Sequence, residues 1–559
     1  MHVKRLLSLL LTALLAVTVL AGCAGRSDFS KEAADALNNA QTIVHFSTDS
    51  QLTKALKDSL KDNVQPDDVR NAMAADKNLQ ALLTDGCQLD VFAVRANTVK
   101  DAAESIAQNI ASIASGKKSE GKAAMVLADN GYYYAAVLTC RDSNSSVSDD
   151  GSEDPAPDPG YIQTAPNSYT ITTNEGFAAL VDEKLQTSEL ESTNIKLECN
   201  VALPTNWPYS MTYSGTFDGQ NHIVSGIECT GGSNYSGMFG TLTGTVKNCR
   251  FAGVSVSGGN FTGAVAGYNN GGNIKNCSVL SGHVSGAMGT GGITGVNAGT
   301  ISNCDVAAAV SSTDWGIGGI AGQNSSGSSI TDCHVSGNIS SHSDTLGGIV
   351  GINFGTISSS HTTGTITGTK VVGGIVGQND SFVEACYATG SINGTNTVGG
   401  LVANNSGTLK ACYSSATVTC SGTGYLGGIV ANNNGGNVVT CYSTGAVTGT
   451  TPSDEYIGGV SGLNTGTITA CYTTSSIGTQ SPSTTGALVG WNNNGSIHTC
   501  YWGNSLDDPC GIDTGSSTET SEIGTSLTWE QATEKMNSES GSGIQFVYHN
   551  DGQAPTLPI

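Results

Sequence analysis

A pattern opening on glycine recurs ten times in this 559-residue chain, and it rules out most folds before composition is considered. The leading glycines are Gly237, Gly263, Gly291, Gly318, Gly347, Gly373, Gly399, Gly427, Gly458 and Gly486. The clearest copy reads Gly373-Gly374-Ile375-Val376-Gly377-Gln378-Asn379, then Val383, then Cys386-Tyr387-Ala388-Thr389-Gly390. A repeat of this length is one structural unit that buries its apolar face only against its neighbours. Short runs of Val, Ile and Thr between glycines exclude helices, because each Gly costs about 1 kcal/mol relative to Ala inside one.

Three columns set the register. The first is asparagine: Asn269, Asn297, Asn324, Asn353, Asn379, Asn405, Asn433, Asn464 and Asn492. The second is cysteine: Cys249, Cys277, Cys304, Cys333, Cys386, Cys412, Cys441, Cys471 and Cys500, with Ser360 in the gap. The third is an apolar pair after the glycines, as at Ile375-Val376. Stacked coils bring like residues about 4.8 Å apart. At that spacing asparagine amides can bond to one another along a ladder. Asparagine can also take left-handed backbone angles at a turn. The expectation is a mostly β protein, a parallel β-solenoid of about ten coils and roughly 48 Å.

The pattern Gly-Gly-Ile-Val-Gly-x-Asn with Cys-Tyr-x-Thr-Gly resembles the GLUG repeat, over roughly residues 237–501. That resemblance implies a bacterial surface protein of adhesin-like type; GLUG repeats also accompany the peptidase domain of immunoglobulin A peptidases. Phe217-Asp218-Gly219-Gln220-Asn221-His222 resembles the start of such arrays. The first copy lacks the asparagine, as a terminal repeat can.

Lys4 and Arg5 precede the apolar run from Leu6 to Leu20, and Leu20-Ala21-Gly22-Cys23 follows. This is the layout of a secretory signal, and its last four residues resemble the bacterial lipobox. Residues 1–22 are then the signal and Cys23 the lipidated mature terminus, whose acyl chains hold the chain on a membrane. Residues 23–141 read as a small α+β domain, with strands near Thr42–Phe46 and Leu89–Val94 and a helix over 97–115. A hairpin of 123–127 and 132–139 turns across Asn130-Gly131, and Cys87 and Cys140 can pair after export. Residues 142–160 form an acidic Ser/Pro linker. Residues 161–236 form the solenoid's N-terminal cap and first coils, with a helix over 173–185 and a strand over 194–203. Residues 237–504 form the array. Residues 505–559 form a C-terminal cap, with an amphipathic stretch from Trp529 to Met536 covering the last coil against edge pairing.

Tyr387, Tyr413, Tyr442, Tyr472 and Tyr501 each follow a column cysteine, and such an aromatic stripe either covers a sheet or binds a sugar face or a partner. The cysteines lack the spacing of a zinc site and read as small apolar thiols inside the coil. Cys412 with Cys420 and Cys500 with Cys510 break the register and are the better disulfide candidates. A net charge of −23 argues against nucleic acid. Between residues 260 and 500 stand eight acids and three lysines that share no column, and no His-Glu-x-x-His or Gly-x-Ser-x-Gly motif occurs. The reading is a non-enzymatic, lipid-anchored surface protein without cofactor or metal. Its solenoid binds a host protein or glycan. A carbohydrate-active β-helix and a structural spacer are the alternatives.

Overall fold

The computed structural model describes residues 27–40, 44–61, 66–77, 79–80, 87–94, 98–100, 102–103, 106, 119–128 and 132–140. From 159 onward it describes all but 342–343, 451–454, 479–483, 525–526 and 542. The expected signal, Cys23, the Asn130-Gly131 turn and nearly all of the 142–160 linker lie outside the described residues. The chain forms two compact units, Met1–Pro157 and Asp158–Ile559.

The first unit is a sheet with helices on both faces. Ser119–Leu127 pairs antiparallel with Tyr133–Cys140, and that strand pairs antiparallel with Cys87–Val94. Val44–Thr48 runs parallel to Ser119–Leu127. Ala123, Met125, Ala135 and Val137 pack against Leu37, Ala103 and Ile106 on one face. Ala124, Val126, Ala136 and Leu138 pack against Leu52, Leu56, Val69 and Met73 on the other. Burial on both faces is why these strands read as unbroken apolar runs rather than alternating ones. Cys87 and Cys140 are direct register partners across the antiparallel pair.

The second unit is a stack of coils whose strands pair in parallel, a β-solenoid. One coil runs through strands Val376–Asn379, Phe382–Glu384, Tyr387–Ala388, Ser391–Gly394 and Thr397–Gly399, and then steps to Val402–Asn405. Apart from Tyr161–Ala165, which pairs antiparallel with Ser168–Ile171 at the N-terminal edge, the strands pair in parallel from coil to coil, giving five sheets of 12, 15, 13, 10 and 8 strands. The sheet that carries the asparagines has 12 strands, so there are about twelve turns rather than ten. The additional turns lie outside the recognisable repeats: Thr212–Tyr213 precedes them, and Cys510–Asp513, Ser516–Thr518 and Ser521–Glu522 follow. These outer coils keep the backbone register while losing the repeat residues.

Inward positions are Ile, Val, Leu and Cys, nearly all fully buried in one continuous core. The N-terminal end is closed by the helix Asn174–Gln186, capped by Thr173, which sets Phe177, Leu180 and Val181 into that core. The motif glycines follow from close approach. A Cβ on Gly374 would stand 2.1 Å from the Gly400 carbonyl oxygen, inside any permitted contact.

The left-handed turn expected of the column asparagines lies elsewhere. The residues with positive φ are those just before the Cys column, from Asn248 (52°), Asn276, Asn303 and Asp332 through Ser359 to Ala385, Ala411, Thr440, Ala470 and Thr499. The column asparagines end extended strands instead, with their side chains turned inward.

Candidate binding surface: an aromatic stripe and the segment that covers it

Two internal columns make the rod rigid. Each column asparagine is fully buried and donates its Nδ2 to Oδ1 of the next, from Asn269 through Asn492, at 2.7–2.9 Å. The ladder begins at Asn269, whose Oδ1 has no donor because Leu242 occupies the position one coil earlier. Each column thiol donates to the carbonyl two residues back, as Cys386 does to Glu384 at 3.2 Å. The Ser360 hydroxyl makes the same bond to Ser358 at 2.8 Å, so serine replaces cysteine without loss of pairing. Burial pushes Cys277, Cys412, Cys471 and Cys500 well above the usual thiol range. Cys412, Cys420, Cys500 and Cys510 are all free, which corrects the two expected disulfides. Cys420 instead donates to the Asn396 and Gly422 carbonyls.

On the outer face of the sheet just after the thiols, one register column reads Asp305, His334, His361, Tyr387, Tyr413, Tyr442, Tyr472, Tyr501. From His334 to Tyr472 the rings stack with centroids 4.3–4.9 Å apart and planes within 17°. The coil repeat imposes that spacing. The two histidines extend the stripe beyond the five tyrosines. Their signal was present in the sequence, since each directly follows a residue of the Cys column, His334 after Cys333 and His361 after Ser360. Burial holds His361 below the usual imidazole range, and the neighbouring His334 adds to this.

The five tyrosines do not form one open surface. The helix Trp529–Glu539 and the segment after it lie along the side of the rod rather than over its end. Trp529, Met536, Phe546 and Leu557 pack on Ala411, Tyr442, Ala470, Tyr472 and Tyr501. Tyr442, Tyr472 and Tyr501 are thereby 7%, 1% and 2% exposed, so they cannot serve as a free binding stripe. Trp529 meets the Tyr472 ring edge-on at 5.0 Å, and the Tyr472 hydroxyl donates to the Pro555 carbonyl. Burial pushes Tyr501 up to about 12 and lifts Tyr442 and Tyr472 further. A cleft of about 520 Å³ remains between Tyr413, Tyr442 and Tyr472 and the stretch Gln553 to Thr556. Tyr387 and Tyr413 stay half-buried, with His361 and His334 beyond them.

Stacking also corrects the expected mode of contact. The inner rings are sandwiched by their neighbours, so ring edges and hydroxyls reach solvent while ring faces do not. A sugar face cannot lie flat on Tyr387 or Tyr413. Among the described residues no three His, Cys, Asp or Glu side chains are grouped to hold a metal ion. Asp305 lies 3.6 Å from His334 Nδ1, yet the two imidazoles are stacked, so their in-plane lone pairs run parallel instead of converging.

The GLUG motif family profile matches residues 313–340. No curated protein matches the chain. A solved structure from Bacteroides ovatus, provisionally named as an immunoglobulin A1 protease, aligns at 16% identity with a TM-score of 0.23. The alignment covers 70% of this chain and 92% of that one.

Proposed function

We propose that this chain, a GLUG-repeat β-solenoid, is an exported, lipid-anchored and non-enzymatic surface protein whose rod binds a host protein or glycan in the manner of an adhesin. The observation that carries the reading is the open half of the aromatic stripe. It presents half-exposed rings at regular spacing on a side of the rod made stiff by the buried amide ladder. Exposed aromatic positions are favoured at recognition surfaces. The stretch Leu20-Ala21-Gly22-Cys23 supports anchoring through lipid on Cys23.

The test is a binding array of glycans and host-matrix proteins, probed with the intact chain and with a Tyr387→Ala, Tyr413→Ala variant. Specific binding that falls in the variant supports the reading; a folded chain that binds nothing opposes it. Metabolic labelling with a fatty acid, abolished by Cys23→Ser, tests the anchor.

A spacer is the second reading, favoured by the uninterrupted ladder itself, since a stiff array also serves as a purely structural part of a chain whose N-terminal domain works at the membrane. It predicts that any rod of equal length substitutes for the solenoid.

A further inference from the structure

The covered part of the stripe has a distinct construction, and that construction continues past the edge of its cover. At the left-handed turn the early coils use Asn248, Asn276, Asn303 and Asp332, the residue types that tolerate this conformation best. The coils beneath the C-terminal segment use Ala411, Thr440, Ala470 and Thr499, all fully buried. Neither alanine nor β-branched threonine favours that conformation, and both are small residues on a face that is packed over, the Thr440 and Thr499 hydroxyls buried there without a partner among the described residues. In the same coils the stripe residue is tyrosine, whereas earlier coils have Asp305, His334 and His361.

Both changes begin one coil too early for the cover. Ala385 has a φ of 53° and Tyr387 stands in the stripe, yet the packed cluster under Trp529, Phe546 and Leu557 starts only at Ala411. The coil of Ala385 and Tyr387 therefore carries the features of an interface and lies open beside one.

We propose that this uncovered continuation, formed by Ala385, Tyr387, His361 and the open edge of Tyr413, is a docking surface for an extended apolar segment of a partner protein. It rests on the binding reading given above and names the class of ligand. The occupant's chemistry follows from the segment already seated next door. That segment packs Phe546 and Leu557 against the tyrosine cluster, and its Pro555 carbonyl accepts from the Tyr472 hydroxyl. The Tyr387 and Tyr413 hydroxyls stand at the same column position one coil after another. Rings sandwiched at 4.4–4.8 Å offer edges and hydroxyls, which suit side chains and backbone carbonyls and exclude flat stacking of a pyranose. The chain's own tail is occupied on the neighbouring coils, so the occupant comes from another protein.

The probe is a labelled synthetic peptide of residues 543–559, titrated by fluorescence anisotropy into the intact chain. Ala385→Asn and Tyr387→Ala are the variants. Asparagine suits the left-handed turn, so Ala385→Asn keeps the fold and changes only the surface. We expect saturable binding that weakens at least tenfold in Tyr387→Ala and several-fold in Ala385→Asn. Tyr235→Ala, at an exposed ring far along the chain, should change nothing. Absence of binding overturns the proposal. So does binding equal in both variants, which would mean the peptide displaces the native tail. Self-association of the chain that Tyr387→Ala abolishes overturns it in favour of a second copy. Glycan binding that depends on Tyr387, with no peptide binding, overturns the polypeptide occupant while the adhesin-like reading stands. No binding to peptide, glycan or matrix protein removes both.

Discussion

Asn492 donates its side-chain amide to Asp513 Oδ1 at 2.9 Å, so the buried amide ladder ends on a carboxylate. The polarity is consistent along the rod: every member gives a hydrogen to the next, and every member after Asn269 receives one from the last. A terminal member needs only to accept, and a carboxylate only accepts. Asp513 lies at the exposed end, where its second oxygen takes the Ser517 hydroxyl.

That polarity predicts an asymmetry between two exchanges of the same atoms. Asn379→Asp puts an acceptor opposite the Asn405 Oδ1 and a carboxyl in a fully buried site. Each group left unsatisfied costs about 1–3 kcal/mol, and more when charged. Asp513→Asn keeps an acceptor for Asn492 and should cost under about 1 kcal/mol. Chemical denaturation of the two variants checks the order.

The thiol column predicts protection from alkylation. In the native chain Cys249 to Cys500 should stay unlabelled at neutral pH, because the thiols are buried out of the reagent's reach. Half-buried Cys510, pushed up to about 12 by burial, should label slowly, at a rate still rising above pH 10. Mass spectrometry after timed alkylation reads both. Ser360→Cys should be tolerated, since the existing hydrogen bond to Ser358 suits either group.

Repeat glycines should differ by what surrounds them. Gly374→Ala drives a Cβ into the Gly400 carbonyl and should cost 3 kcal/mol or more, at about the level of severe overpacking. Gly435 has a φ of 74° with open space around it, so Gly435→Ala meets only the left-handed penalty of about 1–2 kcal/mol. Thermal unfolding of the pair separates the two causes.

Tail docking should fail in alkali. Burial raises Tyr501 from 10.0 to about 12, so its folded-state phenol stays neutral where a released one ionises. The contribution is complete below pH 10 and is lost as pH climbs toward about 12. Tyr442 and Tyr472 act in the same direction. Limited proteolysis after residue 540 should accelerate through that window. Phe546→Ala, at a site 3% exposed, should produce the same release at neutral pH by removing about 3–5 kcal/mol of packing.

Much of this was legible as spacing. Column residues one coil apart predict the coil, the buried thiols and the amide contacts, because a solenoid converts a sequence period directly into a neighbour. Three features were not legible in that way. The left-handed turn lies on a column whose residue type changes from Asn248 to Ala470, so no single letter marks it. The stripe changes identity at His361, which hid its first two rings behind a tyrosine pattern. The seat of Trp529 and Phe546 on Tyr472 joins segments with no shared period, and only the folded chain brings them together. That contact removed three of the five expected surface tyrosines and left Tyr387 open, with Tyr413 half-buried at the edge of the cover.

The most direct measurement compares adhesion by cells displaying the full chain with adhesion by cells whose coils 345–449 are replaced by an unrelated rod of equal length. A binding solenoid predicts that adhesion is lost although the chain is displayed at the same level. Adhesion that survives the exchange would contradict it and make the solenoid a spacer.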